Sequence, residues 1–229
     1  MINTYNETDL HKTLKALFCP KDAKTEQPLL GSICDILCVD GTVIEIQTGH
    51  LTALRLKLEK FLPTHKVEIV YPIATESIIS VLNKDGTEQY RRKSPKKGVF
   101  FQIFRELAGI YHLFETKRLK LKVVYITAEI IKSEMLHNSK IIRRRRHKGP
   151  GIINKKLVRL VQCEEYASLA SICKPVLDRL PCIFTNKDLK NLGAGRYASY
   201  TTWFLKKTGH IVCIGKKERY NLYKKIEAL

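Results

Sequence analysis

Asp35 and Glu45 stand ten positions apart on two β-prone stretches joined by Val39-Asp40-Gly41. Ser32 to Cys38 and Thr42 to Gln47 are rich in Ile, Val and Cys, and the Asp-Gly step between them marks a hairpin. Within Val43-Ile44-Glu45-Ile46-Gln47 polar side chains alternate with isoleucines, so Glu45 and Gln47 leave one face while the isoleucines enter the core. The direction of Asp35 depends on register. A three-residue loop with Gly41 left-handed pairs Cys38 with Thr42 and sets Asp35 opposite Glu45. A two-residue Asp40-Gly41 loop instead pairs Ile36 with Glu45 and turns Asp35 to the other side. In the first register the two carboxylates form an oxygen-rich site suited to Mg²⁺ or Mn²⁺. Such an ion lowers the pKa of a bound water and neutralises charge on a phosphodiester, and the uncharged Gln47 would orient that water.

The elements that must hold these residues follow from periodicity. Leu10, Leu14, Leu17 and Phe18 fall at helical spacing, predicting a helix over 7–18 with Thr4 or Asn6 as its cap and Pro20 beyond its end. A polar loop is expected before the hairpin. Leu51 to Leu62 reads as a basic amphipathic helix stopped by Pro63, and Val67 to Tyr71 as a compact strand ending at Pro72. Ser77 to Leu82 and Thr87 to Arg92 flank Lys84-Asp85-Gly86 as a second hairpin, before a basic loop over 91–97. A helix over 99–114 and a long strand over 119–131 come next. These elements make an α+β or α/β core around one sheet.

The order helix with Glu7, strand with Asp35, strand with Glu45 and Gln47, helix, strand resembles the core of the PD-(D/E)XK nuclease superfamily over about residues 5–72. The resemblance implies a restriction-endonuclease-like core with a mixed sheet, in which Asp35 and Glu45 hold Mg²⁺ (or Mn²⁺) and Glu7 adds a carboxylate. The family usually has Lys where this chain has Gln47, and Cys34 precedes Asp35 where the family name calls for Pro. Glutamine at that place occurs in active members.

Charge is distributed unevenly. The 229 residues carry 41 Lys plus Arg against 22 Asp plus Glu, a formal charge of +19 that favours polyanionic partners, nucleic acid first. Residues 1–83 hold 8 basic and 10 acidic side chains, whereas 140–160 hold nine basic and no acidic ones. A carboxylate-bearing first third is thus followed by basic blocks able to hold phosphates. Arg55, Lys57 and Lys60 on the second helix, Arg91, Arg92, Lys93, Lys96 and Lys97, and Arg143, Arg144, Arg145 and Arg146 are the candidates. Residues 184–229, with 10 basic and 3 acidic side chains, close the chain.

Residues 164–225 read as helix, short helix opened by Thr185-Asn186-Lys187-Asp188, longer helix over 196–207 and terminal hairpin with a turn at 215–218. They resemble a winged helix-turn-helix domain. Spacing turns Ala198, Thr201 or Thr202, and Leu205 inward, leaving Arg196, Ser199, Tyr200, Trp203 and Lys206 for a major groove. Lys216, Lys217 and Arg219 would touch phosphates.

Length and 44% apolar content exclude a disordered tail and a disulfide-stapled miniprotein. Seven cysteines without C-x-x-C spacing suggest reduced, mostly buried thiols, and the histidines show no ligand spacing. No apolar run approaches a spanning helix and no signal peptide is read, so a cytoplasmic protein without membrane partners is expected. The expected division is a nuclease-like domain over 1–150, a basic linker over 151–163 and a winged-helix domain over 164–229. The function expected is metal-dependent endonucleolytic hydrolysis of DNA; the alternative is a catalytically silent DNA-binding regulator or mobile-element accessory protein. A homodimer is left open, since nucleases that cut both strands often pair.

Overall fold

A computed structural model of the protein describes residues 7–133 and 150–226. The chain is α+β. Its main sheet has seven strands: β1 (Lys24–Leu29), β2 (Ser32–Leu37), β3 (Val43–Ile46), β4 (Val67–Leu82), β5 (Glu88–Lys93), β6 (Leu119–Ser133) and β7 (Gly151–Tyr166). Their order is β1-β2-β3-β4-β6-β7, with β5 paired to β4. The sheet is mixed, because β3 runs parallel to β4 while β1–β2, β2–β3 and β4–β5 are antiparallel.

The chain divides into two compact units. The first comprises residues 1–21, 72–98 and 124–163, and the second 22–71, 99–123 and 164–229. In the first unit, helix α1 (Asp9–Phe18) buries Leu10 and Leu14. Thr8, rather than Thr4 or Asn6, caps it, its side chain accepting from His11 N–H. Asn154 of β7 bonds twice to Asp9, donating from Nδ2 at 2.7 Å and accepting from the backbone N–H at 3.0 Å. Residues 151–163 are therefore strand rather than linker. The β-branched Ile152, Ile153, Val158 and Val161 support that strand, and its lysines gave it the look of a loop.

Two further expectations change. Pro72 does not end a strand, since β4 continues to Leu82. Its pairing with β3 stops at Val70, so the missing proline N–H falls where that neighbour needs no donor. The second hairpin forms over 83–87 as expected, but Arg91 to Lys93 belong to β5, and only 94–97 remain as basic loop. That loop returns to β4, with Gly98 N–H donating to the Ala74 carbonyl at 2.7 Å. A Cβ on Gly98 would lie 2.7 Å from both that oxygen and Ile73 Cγ2. Gly98→Ala is expected to lower stability by about 1–3 kcal/mol in urea unfolding, as overpacking does.

In the second unit the expected polar loop is β1, an edge strand whose lysine, glutamate and proline hid it in the sequence. A 3-10 turn (Leu51–Leu54) leads into α2 (Arg55–Phe61). The helix expected over 99–114 is two pieces, α3 (Gln102–Leu107) and a 3-10 segment (Tyr111–Thr116), separated at Gly109, whose missing Cβ makes room for Thr52.

The carboxy-terminal elements are α4 (Leu169–Leu177), β8 (Ile183–Thr185), α5 (Asn186–Leu189), α6 (Ala198–Lys207), β9 (Ile211–Lys217) and β10 (Tyr220–Lys225). The sheet order is β8-β10-β9. Ser168 and Thr185 form capping boxes on α4 and α5. The last turn lies at Glu218-Arg219, not 215–218, with Glu218 at φ +54°. Phe204 of α6 packs edge-on to Phe104 of α3 at 5.2 Å, and Tyr111 edges both Phe204 and Trp203. This aromatic cluster packs α6 against α3 and the 3-10 segment within the second unit, of which 164–229 form part.

All seven cysteines are free, but only Cys34 and Cys173 are buried; Cys163, Cys182 and Cys213 are exposed. Among the described residues no helix is long and apolar enough to cross a membrane.

Candidate active site

The β2–β3 hairpin decides the register. Cys38 N–H donates to Thr42 O at 2.8 Å, Gly41 N–H to Cys38 O at 3.0 Å, and Gly41 takes φ +80°. This is the three-residue loop, and the ladder pairs Leu37 with Val43 and Ile36 with Ile44. Asp35 therefore falls opposite Glu45. Each side chain reaches the other's strand: Asp35 Oδ2 accepts from Ile46 N–H at 2.8 Å, and Glu45 Oε1 from Asp35 N–H at 3.3 Å.

Glu45 lies in a strand buried along its whole length and is itself only 1% exposed, not on a half-open face. Lys57 projects from α2, and its ammonium sits 2.5 Å from Glu45 Oε2. Burial pushes the Glu45 carboxyl up, the Asp35 charge pushes it further, and Lys57 offsets part of the rise, leaving a pKa of about 7. Burial and the Glu45 charge also push up the Cys34 thiol, which makes it a packing residue rather than a nucleophile.

Gln47 follows Glu45 on the same face, but its amide is used by the next turn. Nε2 donates to the His50 carbonyl at 3.1 Å and Oε1 accepts from Gly49 N–H at 3.3 Å. Glu7 lies in the first unit, where it accepts from His11 and, at 2.7 Å, from Lys15. Burial pushes its carboxyl up, and those two partners together outweigh burial and hold it below the usual range.

Among the described residues no cluster of three or more His, Cys, Asp and Glu side chains has metal-site geometry. Two carboxylates nevertheless suit Mg²⁺, which is commonly held by one or two of them with water and phosphate oxygens completing the shell. The Lys57 ammonium on Glu45 is the feature such an ion would have to displace or share.

The candidate phosphate contacts are spread over the surface. Arg55 pairs with Glu59 at 2.8 Å and Arg91 with Glu129 at 3.1 Å, each about half exposed. Arg92, Lys93, Lys96 and Lys97 are exposed. Arg143 to Arg146 lie outside the described residues. On α6 and the turn before it, Arg196, Ser199, Tyr200, Trp203 and Lys206 are exposed, while Ala198, Thr201, Thr202, Phe204 and Leu205 are buried. Lys216, Lys217 and Arg219 are exposed at the hairpin. The pairing of Lys57 with Glu45 was not legible in the sequence, since their separation of twelve residues runs from the end of β3 through a turn and the 3-10 segment into α2.

A mixed α+β fold with a carboxylate pair on adjacent strands is the class these observations define. The chain belongs to the family described as a domain of unknown function, DUF8091, whose model matches residues 8–167, ending just before α4. It is 41% identical over 224 residues to an uncharacterized protein of Treponema pallidum (strain Nichols), across 98% of this chain and 87% of that one. No solved structure matches it.

Proposed function

We propose that the protein is a metal-dependent DNA endonuclease of PD-(D/E)XK type, with residues 164–229 acting as a winged-helix DNA-binding module. The observation that carries this reading is the reciprocal bonding of Asp35 and Glu45 across β2–β3, with Lys57 at 2.5 Å from Glu45. A Mg²⁺ or Mn²⁺ ion held by Asp35 and Glu45 would supply an activated water and neutralise charge on the phosphodiester. Lys57 takes the part of the lysine that the family usually carries at the position of Gln47: a cation beside the carboxylates, delivered here from α2. Gln47 holds the turn after β3 instead of orienting water directly. The order α4, β8, α5, α6, β9, β10 and the outward Arg196, Ser199 and Lys206 support groove binding by α6, with the basic hairpin on phosphates. Cleavage of plasmid DNA in Mn²⁺, absent in EDTA, tests the proposal; no cleavage with either Mg²⁺ or Mn²⁺ would contradict it.

A second reading has its own observation. If the Lys57 ammonium is the permanent partner of Glu45, the fold is a catalytically silent DNA binder. Calorimetric titration separates the two, since the silent protein takes up no Mn²⁺ at millimolar concentration. Under both readings DNA affinity falls steeply with salt, by about 10³-fold or more between 50 and 200 mM if six or more phosphates are contacted. A flat salt response in fluorescence anisotropy would contradict DNA binding itself.

A further inference from the structure

The turn that Gln47 ties down presents His50, a histidine to which the sequence reading assigned no role. Its side chain is 80% exposed, yet Nδ1 lies 3.2 Å from Oε2 of Glu106, a glutamate on α3 that is 3% exposed. The other oxygen of Glu106 is held by Arg105, from Nη2 at 2.6 Å and Nε at 3.0 Å. Arg105 in turn lies over the Tyr197 ring at 5.6 Å. A buried carboxylate fixed on one side by a guanidinium and turned on the other to an exposed imidazole is an orienting arrangement. A carboxylate only accepts, so Nδ1 is the donor of this pair, and in the neutral imidazole the lone pair is on Nε2. Gln47 Nε2 donates to the His50 carbonyl at 3.1 Å, which ties the turn carrying the imidazole to the residue two positions after Glu45.

We propose that His50 is the general base of the site, with Glu106 as its positioning residue; this rests on the nuclease reading above. In the step, a water oxygen attacks phosphorus and its proton passes to His50 Nε2. The bond from phosphorus to the leaving sugar oxygen breaks, its electron pair stays on that oxygen, and solvent protonates it. His50 then returns its proton to solvent. This assignment gives the site a base that neither Gln47, which is uncharged, nor Lys57, a cation against Glu45, supplies.

Side-chain ¹⁵N spectra of histidine-labelled protein test the dyad without any cleavage. The Nδ1–H form is expected for His50 in the wild type and a mixture of tautomers in Glu106→Gln; a wild-type Nε2–H form would overturn the proposal. Because Glu106→Gln strips Arg105 of its charge partner, Glu106→Asp serves as the second variant, retaining the Nδ1–H form. In Mn²⁺-dependent cleavage at saturating DNA, His50→Ala should be slower by about 100-fold. Added imidazole should restore at least about tenfold of that, and Mn²⁺ and DNA affinities should stay within twofold. Cleavage by His50→Ala within twofold of wild type overturns the base role and leaves the nuclease reading standing. A wild type that cuts nothing overturns both.

Discussion

Glu45→Gln is expected to reduce Mn²⁺-dependent DNA cleavage by more than about 100-fold while leaving DNA affinity within about twofold. Replacing groups that merely orient metal ligands typically loses 10–100-fold, and Glu45 is proposed as a ligand itself. Its burial, its bond from Asp35 N–H and its contact with Lys57 leave no neighbouring carboxylate except Asp35 to take its place among the described residues. Glutamine keeps the volume and the accepting oxygen, so the fold survives. The basic side chains proposed to contact DNA lie on other elements, so binding is expected to persist. Undiminished cleavage by the variant would move the active site elsewhere.

The same carboxylate makes stability depend on pH in a direction opposite to that of an ordinary ion-paired acid. Burial, with Asp35 adding to it and Lys57 opposing, raises the folded-state pKa of Glu45 from 4.5 to about 7. Between those values the folded protein keeps a proton that the unfolded chain has released. Stability is therefore lost as pH rises through that window, by about 3 kcal/mol at its top. Below pH about 4.5 both states are protonated and nothing is lost. In EDTA, urea unfolding of wild type and Glu45→Gln should give a stability difference that shifts toward the variant by about that amount between pH 4.5 and 8. Parallel stability curves across the range would show that the buried carboxyl titrates normally.

How much of this was readable without coordinates varies by element. The hairpin was readable down to its alternatives, because Val39-Asp40-Gly41 permits only two loops and the left-handed Gly41 selects one. Spacing also separated the buried and exposed faces of α6. Edge strands were not readable: β1 and β7 carry lysines and glutamates on solvent-facing positions, and polar strands look like loops when only composition is seen. Nor did Pro72 break β4, because it falls just beyond the pairing with β3, a fact about neighbours rather than about the residue.

The facing of Asp35 and Glu45 across β2–β3 was readable from spacing, whereas the contacts of Lys57 with Glu45 and of His50 with Glu106 were not. These partners lie 12 and 56 residues apart in the chain, and no local periodicity encodes such contacts. One signal was available. Gln47 stands where the resembling family keeps a lysine, and that substitution asks for a cation or a base from another element. Lys57 on α2 is proposed for the first need, and His50, held by Glu106, for the second.

The most direct test of the central claim is anomalous diffraction from crystals soaked in millimolar Mn²⁺. A peak is expected about 2.0–2.6 Å from carboxylate oxygens of both Asp35 and Glu45, with the Lys57 ammonium drawn off Glu45. An empty map there, with Lys57 still seated on Glu45, would contradict it.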